Sequence, residues 1–402
     1  MAEWLRASVA TLQAGGALLV EDGNHGENRP RREELVSDGT AFVRATDMRN
    51  GRVLFSSASH INGSALSRIR KGVGEPGDVL LSHKGTVGKV AWVGEECPAF
   101  VCSPQTTFYR VKDASRIDRR YLYFYLQSPE FQGQLNSRMD ETDMAPYVSL
   151  SEQRRLRIVL PPLAEQHAIA AVLGALDNKI EANQNLCSIV GELARAEVVA
   201  GQALAEQVVP LGNLVRRVTD IVRPDELDAG VVYVGLEHIP RGSLFLTEWE
   251  SADGLASAKV RFQAGDILFG KLRPYFKKVV IAPSAGVCST DVLVLRSRQP
   301  EQSALALTVC SSDEVINYAS AGSQGTRMPR VSWDYLSAWQ CPMPSQDATR
   351  TIQHRVGPML QQAVHLTYES ILLGQLRDAL LPKLLSGELR VRDAESLVED
   401  AV

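Results

Sequence analysis

No CxxC pair occurs among the six cysteines of this 402-residue chain, which stand singly as Cys97, Cys102, Cys187, Cys288, Cys310 and Cys341. A disulfide framework or a zinc site needs closer pairing, so they read as reduced thiols of a cytoplasmic protein, and zinc is not expected. The seven histidines are scattered too, with no HExxH and no other metal-ligand spacing. No apolar run approaches the ~18 residues of a membrane span, and MAEWLRASVATLQAGG lacks the basic-then-apolar order of a secretory signal. GxxxxGK[ST] and GxSxG are absent, as are the Asn-Pro-Pro-Phe and Asp-Pro-Pro-Tyr tetrapeptides of amino-methyltransferases. PDELD at Pro224 has no downstream ExK. One GxGxxG exists, GVGEPG at Gly72, but a dinucleotide loop must follow a strand and open a helix. This one follows RIRK, contains Pro76 and leads into DVLL, so it is a turn. Together these absences argue against catalysis by this chain: no catalytic and no metal-ligating residue is expected.

Charge of one sign is also lacking overall, the net being −4. Residues 1–160 hold 21 basic against 19 acidic residues and 211–345 hold 14 against 14, while 161–210 and 346–402 are net −4 and −2. This argues weakly against a general coat for nucleic acid, whereas a sequence-selective DNA reader needs only one basic face. Two such faces are legible. GDILFGKLRPYFKKVV, from Gly265, alternates like a strand, breaks at Pro274 and carries Lys271, Arg273, Lys277 and Lys278. GDVLLSHKGTVGKV, from Gly77, paraphrases it 188 residues earlier, with Lys84 and Lys89 flanking Gly85 and Gly88. Glycines there let a backbone approach a phosphate closely.

The duplication extends further. FVRATDMRNGRV (from Phe42) aligns with YVGLEHIPRGSL (from Tyr233), and each half ends in a strand, a proline and a long helix. The first helical segment places Ile169, Leu173, Leu176, Ile180, Asn183, Cys187, Val190 and Ala194 at alternating spacings of four and three. The second does so with Ile352, Val356, Met359, Ala363, Leu366, Ser370 and Leu373. These are coiled-coil seams, and Asn183 is a register-setting polar residue. Pro382 is expected to stop the second helix, with LLSGELRV returning as a strand. The alternative, each helix packing only on its own domain, leaves two matched seams unexplained.

The fold expected is therefore α+β, a tandem repeat of pseudo-two-fold character. Residues 1–160 and 209–345 form the two globular domains, and 161–208 and 346–392 form long antiparallel spacer helices, the latter with the return strand. Residues 393–402 are a tail. Two readers at a fixed separation suit two short half-sites with an unread gap, and unlike halves imply an asymmetric site. Arginine suits guanine and lysine suits phosphate, while Gln324, beside Arg327 and Arg330 in GSQGTRMPRVSW, suits adenine.

DGNHGENRP, GDVLLSHKGTVGKV, SPQTTFYR, LPPLAEQ, GDILFGKLRPYFKKV, VCSTDVLVLRS, RMPRVSW and LLPKLLSGELRV, in this order along nearly the whole chain, resemble the specificity subunit of type I restriction–modification systems. The resemblance implies two target-recognition domains separated by helical spacers, and no catalytic activity of its own. It implies double-stranded DNA, two modification (methyltransferase) subunits and restriction subunits as partners. S-adenosylmethionine, ATP and Mg2+ would belong to those partners and no cofactor to this chain. Carried onto this sequence, the DNA-facing candidates are His25, Lys84, Lys89, Lys271, Arg273, Lys277 and Arg327, to which the basic loops add Lys278, Gln324 and Arg330. His83 stands where a cation is expected, which weakens the first turn. Partner docking falls on the helix starts, at Leu163, Gln166, Ile169 and Ile352. A modifying enzyme with an unrecognised site and a protein-binding scaffold remain the alternatives.

Overall fold

Each Gly-Asp pair builds the same corner. In a computed structural model that describes residues 4–139, 145–205, 207–325 and 327–399, Gly77 and Gly265 adopt φ of +79° and +84°, a region where a side chain is strained. Their N–H groups donate to the carbonyls of Val93 and Ala282 at 3.0 and 2.9 Å. The Asp78 and Asp266 carbonyls accept from the N–H of Val93 and Ala282 at 3.0 and 2.8 Å. Each carboxylate then accepts the N–H three residues back, from Glu75 and Gln263, at 2.8 Å. Each also takes a two-pronged guanidinium, Arg110 at 2.7 and 2.8 Å and Arg296 at 2.6 and 2.7 Å. Both aspartates are buried, so the fork is what makes their charge tolerable there.

The chain divides into two units, Met1–Asp177 with Leu376–Val402, and Asn178–Gln375. In the first, strands β1 (Leu18–Asp22), β2 (Val79–Lys84), β3 (Thr86–Trp92) and β4 (Thr106–Val111) lie in the antiparallel order β1-β4-β2-β3, extended by two short strands at Arg52–Val53 and Met48–Arg49. In the second, β5 (Val215–Val218), β6 (Ile267–Gly270), β7 (Val279–Ile281) and β8 (Val292–Ser297) take the matching order β5-β8-β6-β7. A smaller sheet in each unit contains one parallel pair: Thr40–Val43 beside Phe100–Cys102, and Val232–Val234 beside Gly286–Cys288. Phe42 and Tyr233, aligned from sequence, occupy the same place in those pairs, opposite Val101 and Val287. Each unit is also closed by a two-stranded ladder, Leu5–Ser8 with Arg157–Leu160 and Gln207–Pro210 with Gln340–Met343. The internal repeat is a repeat of topology.

The central helix runs Leu163–Gln202 and the C-terminal helix Gln346–Ser386, so residues from both belong to both units. Pro161 and Pro162 precede the first, where a missing N–H costs nothing, and no proline interrupts it. Ile169, Leu173 and Leu176 are buried in the first unit, and Cys187, Val190, Ala194 and Val198 in the second. Within the second unit the helices run antiparallel: Asn183 donates to Glu369 at 2.8 Å, and Cys187 Sγ meets the Ala363 carbonyl at 3.3 Å. Within the first, Asp177 accepts Arg377 at 2.6 Å. Three expectations change. Met359 is exposed and Leu360 takes its place in the seam. Pro382 does not stop the helix, which continues to Ser386 because Leu384 and Leu385 are buried beyond it. The stop is Gly387 at φ +72°, its N–H on the Leu384 carbonyl, and no return strand comes after it: Val391–Glu399 is a helix burying Ala394 and Val398.

Beneath the β2–β3 turn lies a polar network with little slack. Gln153 donates to the Thr107 hydroxyl at 3.1 Å and to the Val148 carbonyl at 3.2 Å, and accepts Tyr109 at 3.2 Å. The Thr107 hydroxyl also shares a hydrogen bond of 2.7 Å with His83 Nδ1. Burial pushes the His83 pKa down to about 4, with the Asp22 charge opposing and Lys84 reinforcing.

These buried groups lead to two expected outcomes. Asp78→Ala leaves Arg110 paired only with the more exposed Glu75, and lowers stability in urea titration by about 3 kcal/mol, at the low end for a broken buried pair. The His83 pKa is depressed from 6.5 to about 4 on folding, so the unfolded chain binds that proton more readily. Its contribution is complete above pH 6.5 and drains as pH falls towards 4, by up to ~1.4 kcal/mol per pH unit. Urea midpoints measured across that window should fall less steeply for His83→Gln than for the parent chain.

Candidate nucleic-acid interface

In the second unit two basic loops are stitched together by their backbones. Where β6 ends at Gly270, the Lys271 N–H donates to the Asp291 carbonyl and the Lys271 carbonyl accepts Val331, both at 3.0 Å. Arg273 N–H donates to the Pro329 carbonyl at 2.8 Å, and Gln324 and Arg330 exchange backbone bonds at 3.0 and 2.9 Å. Lys271, Arg273, Gln324, Arg327 and Arg330, far apart in sequence, therefore share one sheet end. Thr326 lies outside the described residues.

The loop from Arg273 to Lys277 is held in an uncommon shape. Arg273 and Lys277 both have φ of +52°, the left-handed region, around a short 3-10 turn at Pro274–Phe276. Such residues cost about 1–3 kcal/mol each, and Arg273 also precedes a proline, which disfavours helical conformations. The surroundings hold it there. Phe276 lies under the Arg241 guanidinium, 3.8 Å from carbon to ring centre, Lys277 accepts Gly242 N–H on its carbonyl at 3.0 Å, and Pro274 is buried.

The charges of this rim differ in their availability. Lys271 and Arg327 have no ion pair among the described residues, and Arg327 is exposed. Arg273 reaches the Arg327 carbonyl at 3.1 Å. Arg330 forks onto Asp291 at 2.9 and 3.2 Å, holding that carboxyl below its usual range, and Lys277 meets Asp313 at 2.6 Å. Pairs this exposed are screened by solvent, and a phosphate can displace them. Lys278 is different: its ammonium lies on the Leu236 carbonyl and burial lowers its pKa, so it is a structural donor rather than a surface contact.

The first unit repeats the stitching with other side chains. Gly85 N–H donates to the Pro146 carbonyl and Val148 N–H to the His83 carbonyl, both at 2.9 Å, matching Arg273 with Pro329 and Val331 with Lys271. His83 thus takes the place of Lys271, and being buried and neutral it brings no charge. Lys84 is exposed, its ammonium 5.7 Å from the centre of the Tyr147 ring. A Cβ on Gly85, at φ +80°, would meet only Gln105 Nε2 at 3.8 Å, but one on Gly88 would stand 2.6 Å from Gln132 Oε1, so Gly88 makes room for a side chain and not for a phosphate. Lys89 reaches the Ala45 and Met48 carbonyls at 3.2 and 3.4 Å.

Other sequence candidates move inward. His25 is 7% exposed, with Nε2 on the Cys102 carbonyl at 2.9 Å and a pKa lowered by burial, so it belongs to the core of the first unit and not to its surface. Gln166, 1% exposed, bonds Asp118 N–H and the Pro161 and Arg116 carbonyls. Ile169 and Ile352 are buried within their own units, so with Gln166 they anchor the helices at home, while Leu163 is half-buried. Sequence reasoning passed over Tyr275 and Arg241, an aromatic and a cation that only the folded loop brings into relief. Among the described residues no three His, Cys, Asp or Glu side chains cluster to hold a metal ion, and no helix is long and apolar enough to cross a membrane.

Comparison with known proteins meets this geometry from outside. Residues 25–188 match the family described as type I restriction modification DNA specificity domain. The EcoDI specificity subunit of Escherichia coli is 28% identical over 141 residues, 34% of this chain and about a third (31%) of that one. The MjaIX specificity subunit of Methanocaldococcus jannaschii is 21% identical over 391 residues, 88% of this chain and 87% of that one. The crystal structure of a type I restriction–modification S subunit from M. genitalium shares the fold, with a TM-score of 0.56 at 16% identity over 95% of this chain and 96% of that one. With its duplicated sheets and paired helices the chain shares the fold of a solved S subunit, and its residues 25–188 are similar to the type I restriction modification DNA specificity domain.

Proposed function

We propose that this chain is the non-catalytic recognition subunit of a type I restriction–modification complex and reads a bipartite, asymmetric double-stranded DNA site, one half-site per unit. One observation carries the reading. The same backbone stitching presents the loop after a Gly-Asp strand in both units, yet the side chains on it differ, Lys271-Leu272-Arg273 against His83-Lys84-Gly85. Identical platforms with unlike tips read unlike sequences. Lys271 and Lys84 contact phosphate, while Arg327, Arg273 and Gln324 face base edges.

The assembly holds two modification subunits, which bind S-adenosylmethionine and methylate adenine N6, and accepts restriction subunits that use ATP and Mg2+. None of these cofactors sits on this chain, and the complex works in the cytoplasm. The seam between the helices is already filled, so docking falls on another face. On the second unit's share of the central helix, Leu186, Ile189 and Leu193 are exposed at successive spacings of three and four. That stripe fits a helix of a modification subunit.

A single-molecule methylome of the source cell, with and without this gene, tests the function. N6-methyladenine should vanish from one gapped, asymmetric motif on deletion, whereas an unchanged methylome in a cell whose partner subunits are expressed refutes the reading. At residue level, Lys271→Ala in the assembled complex should lower the slope of log K against log salt by about 0.9 and weaken all sequences alike. Arg327→Ala should relax preference at one base pair of one half-site by ~5- to 150-fold, read by competition with single-mismatch duplexes.

A further inference from the structure

The tip of the second unit's basic loop is neither a cation nor a polar residue. Tyr275 is 52% exposed. Its neighbours on both sides are fixed: Phe276 N–H donates to the Arg273 carbonyl at 3.0 Å and Lys277 N–H to the Pro274 carbonyl at 2.8 Å. Phe276, the adjacent aromatic, turns inward beneath Arg241, and the two rings meet edge to face at 4.7 Å. One ring of the pair anchors the loop while the other is held out into solvent.

We propose that Tyr275 stacks on the face of a nucleobase in the half-site read by the second unit, at a step that the loop opens. The inference rests on the DNA-reading function above and adds to it a contact made by a π-face, which charge and hydrogen bonding do not supply. Three features carry it. An exposed aromatic ring on a loop free to move would fold back onto the surface; two left-handed residues and the Phe276 anchor prevent this, so little freedom remains to be lost on contact. The ring is bracketed by Lys271, Arg273 and Lys277 and adjoins the Arg327–Arg330 loop, the mixture of cations and aromatics that suits a polyanion of stacked bases. A protein-docking anchor would sit in an apolar patch, whereas on these two loops the other exposed large apolar side chain is Met328 alone. The first unit has Gly85 in the place of Arg273 and a shorter turn, with no aromatic residue between Lys84 and Lys89. The stacking contact therefore belongs to one half-site.

The test uses the complex of full-length chain and modification subunits on its own methylation site. Tyr275→Ala should weaken binding to that site about tenfold or more with the salt slope unchanged, and Tyr275→Phe should restore it. 2-Aminopurine placed in turn along the second half-site should report unstacking at one position other than the methylated adenine, lost in Tyr275→Ala and kept in Tyr275→Phe. Equal affinity of the parent and Tyr275→Ala complexes overturns the proposal. So does a Tyr275→Ala chain that no longer assembles with its modification subunits, since the ring would then face protein. A parent complex with no preference for any gapped duplex overturns the DNA-reading function itself, and this contact with it.

Discussion

The buried aspartate–arginine fork is the constraint on which each unit depends. A carboxylate held away from water is costly unless its lone pairs are filled, and Asp78 and Asp266 are filled from two directions, by a backbone N–H and by a guanidinium. The backbone bond fixes the corner before β2 or β6, and the guanidinium fixes the neighbouring strand, β4 or β8, in register with it. The loop at the far end of β2 or β6 is then aimed by the corner behind the strand. Loops that differ in length, charge and shape can be mounted there without altering the corner, because none of their residues takes part in it.

This separation explains why some features were legible in the sequence. Gly77-Asp78 and Gly265-Asp266 announced the repeat because a positive φ and a buried charge each admit few residues. The helical seams were legible through spacing, with errors where spacing alone could not decide between adjacent residues, as at Met359 and Leu360. Pro382 misled because a proline's cost is local while the burial of Leu384 and Leu385 beyond it is not. Site residues were harder. Cations count in a sequence whether they face water, as Lys84 does, or a carbonyl, as Lys278 does. His25, Gln166, Ile169 and Ile352 turn out to be buried: a motif says that a residue matters without saying that it is exposed. Tyr275 was invisible among ten tyrosines until the loop's shape singled it out.

The two units thus share a platform and divide its use. The second carries more charge on its rim, a rigid aromatic tip and a second basic loop tied beneath it. The first replaces the equivalent lysine by a neutral, buried histidine and keeps a compact glycine turn.

The division of the helices between the units also has a consequence for how the protein is made. Asn178–Gln375 is one continuous segment, whereas the first unit needs residues that lie roughly 200 positions beyond Asp177, including Arg377 as the partner of Asp177 and the Gly387 turn packed by Trp4. At ~5–20 residues per second a ribosome takes about 10–40 s to cover that distance. The amino-terminal unit, begun first, is completed last, and for that interval its helix-facing surface is open to whatever chaperone or partner subunit reaches it.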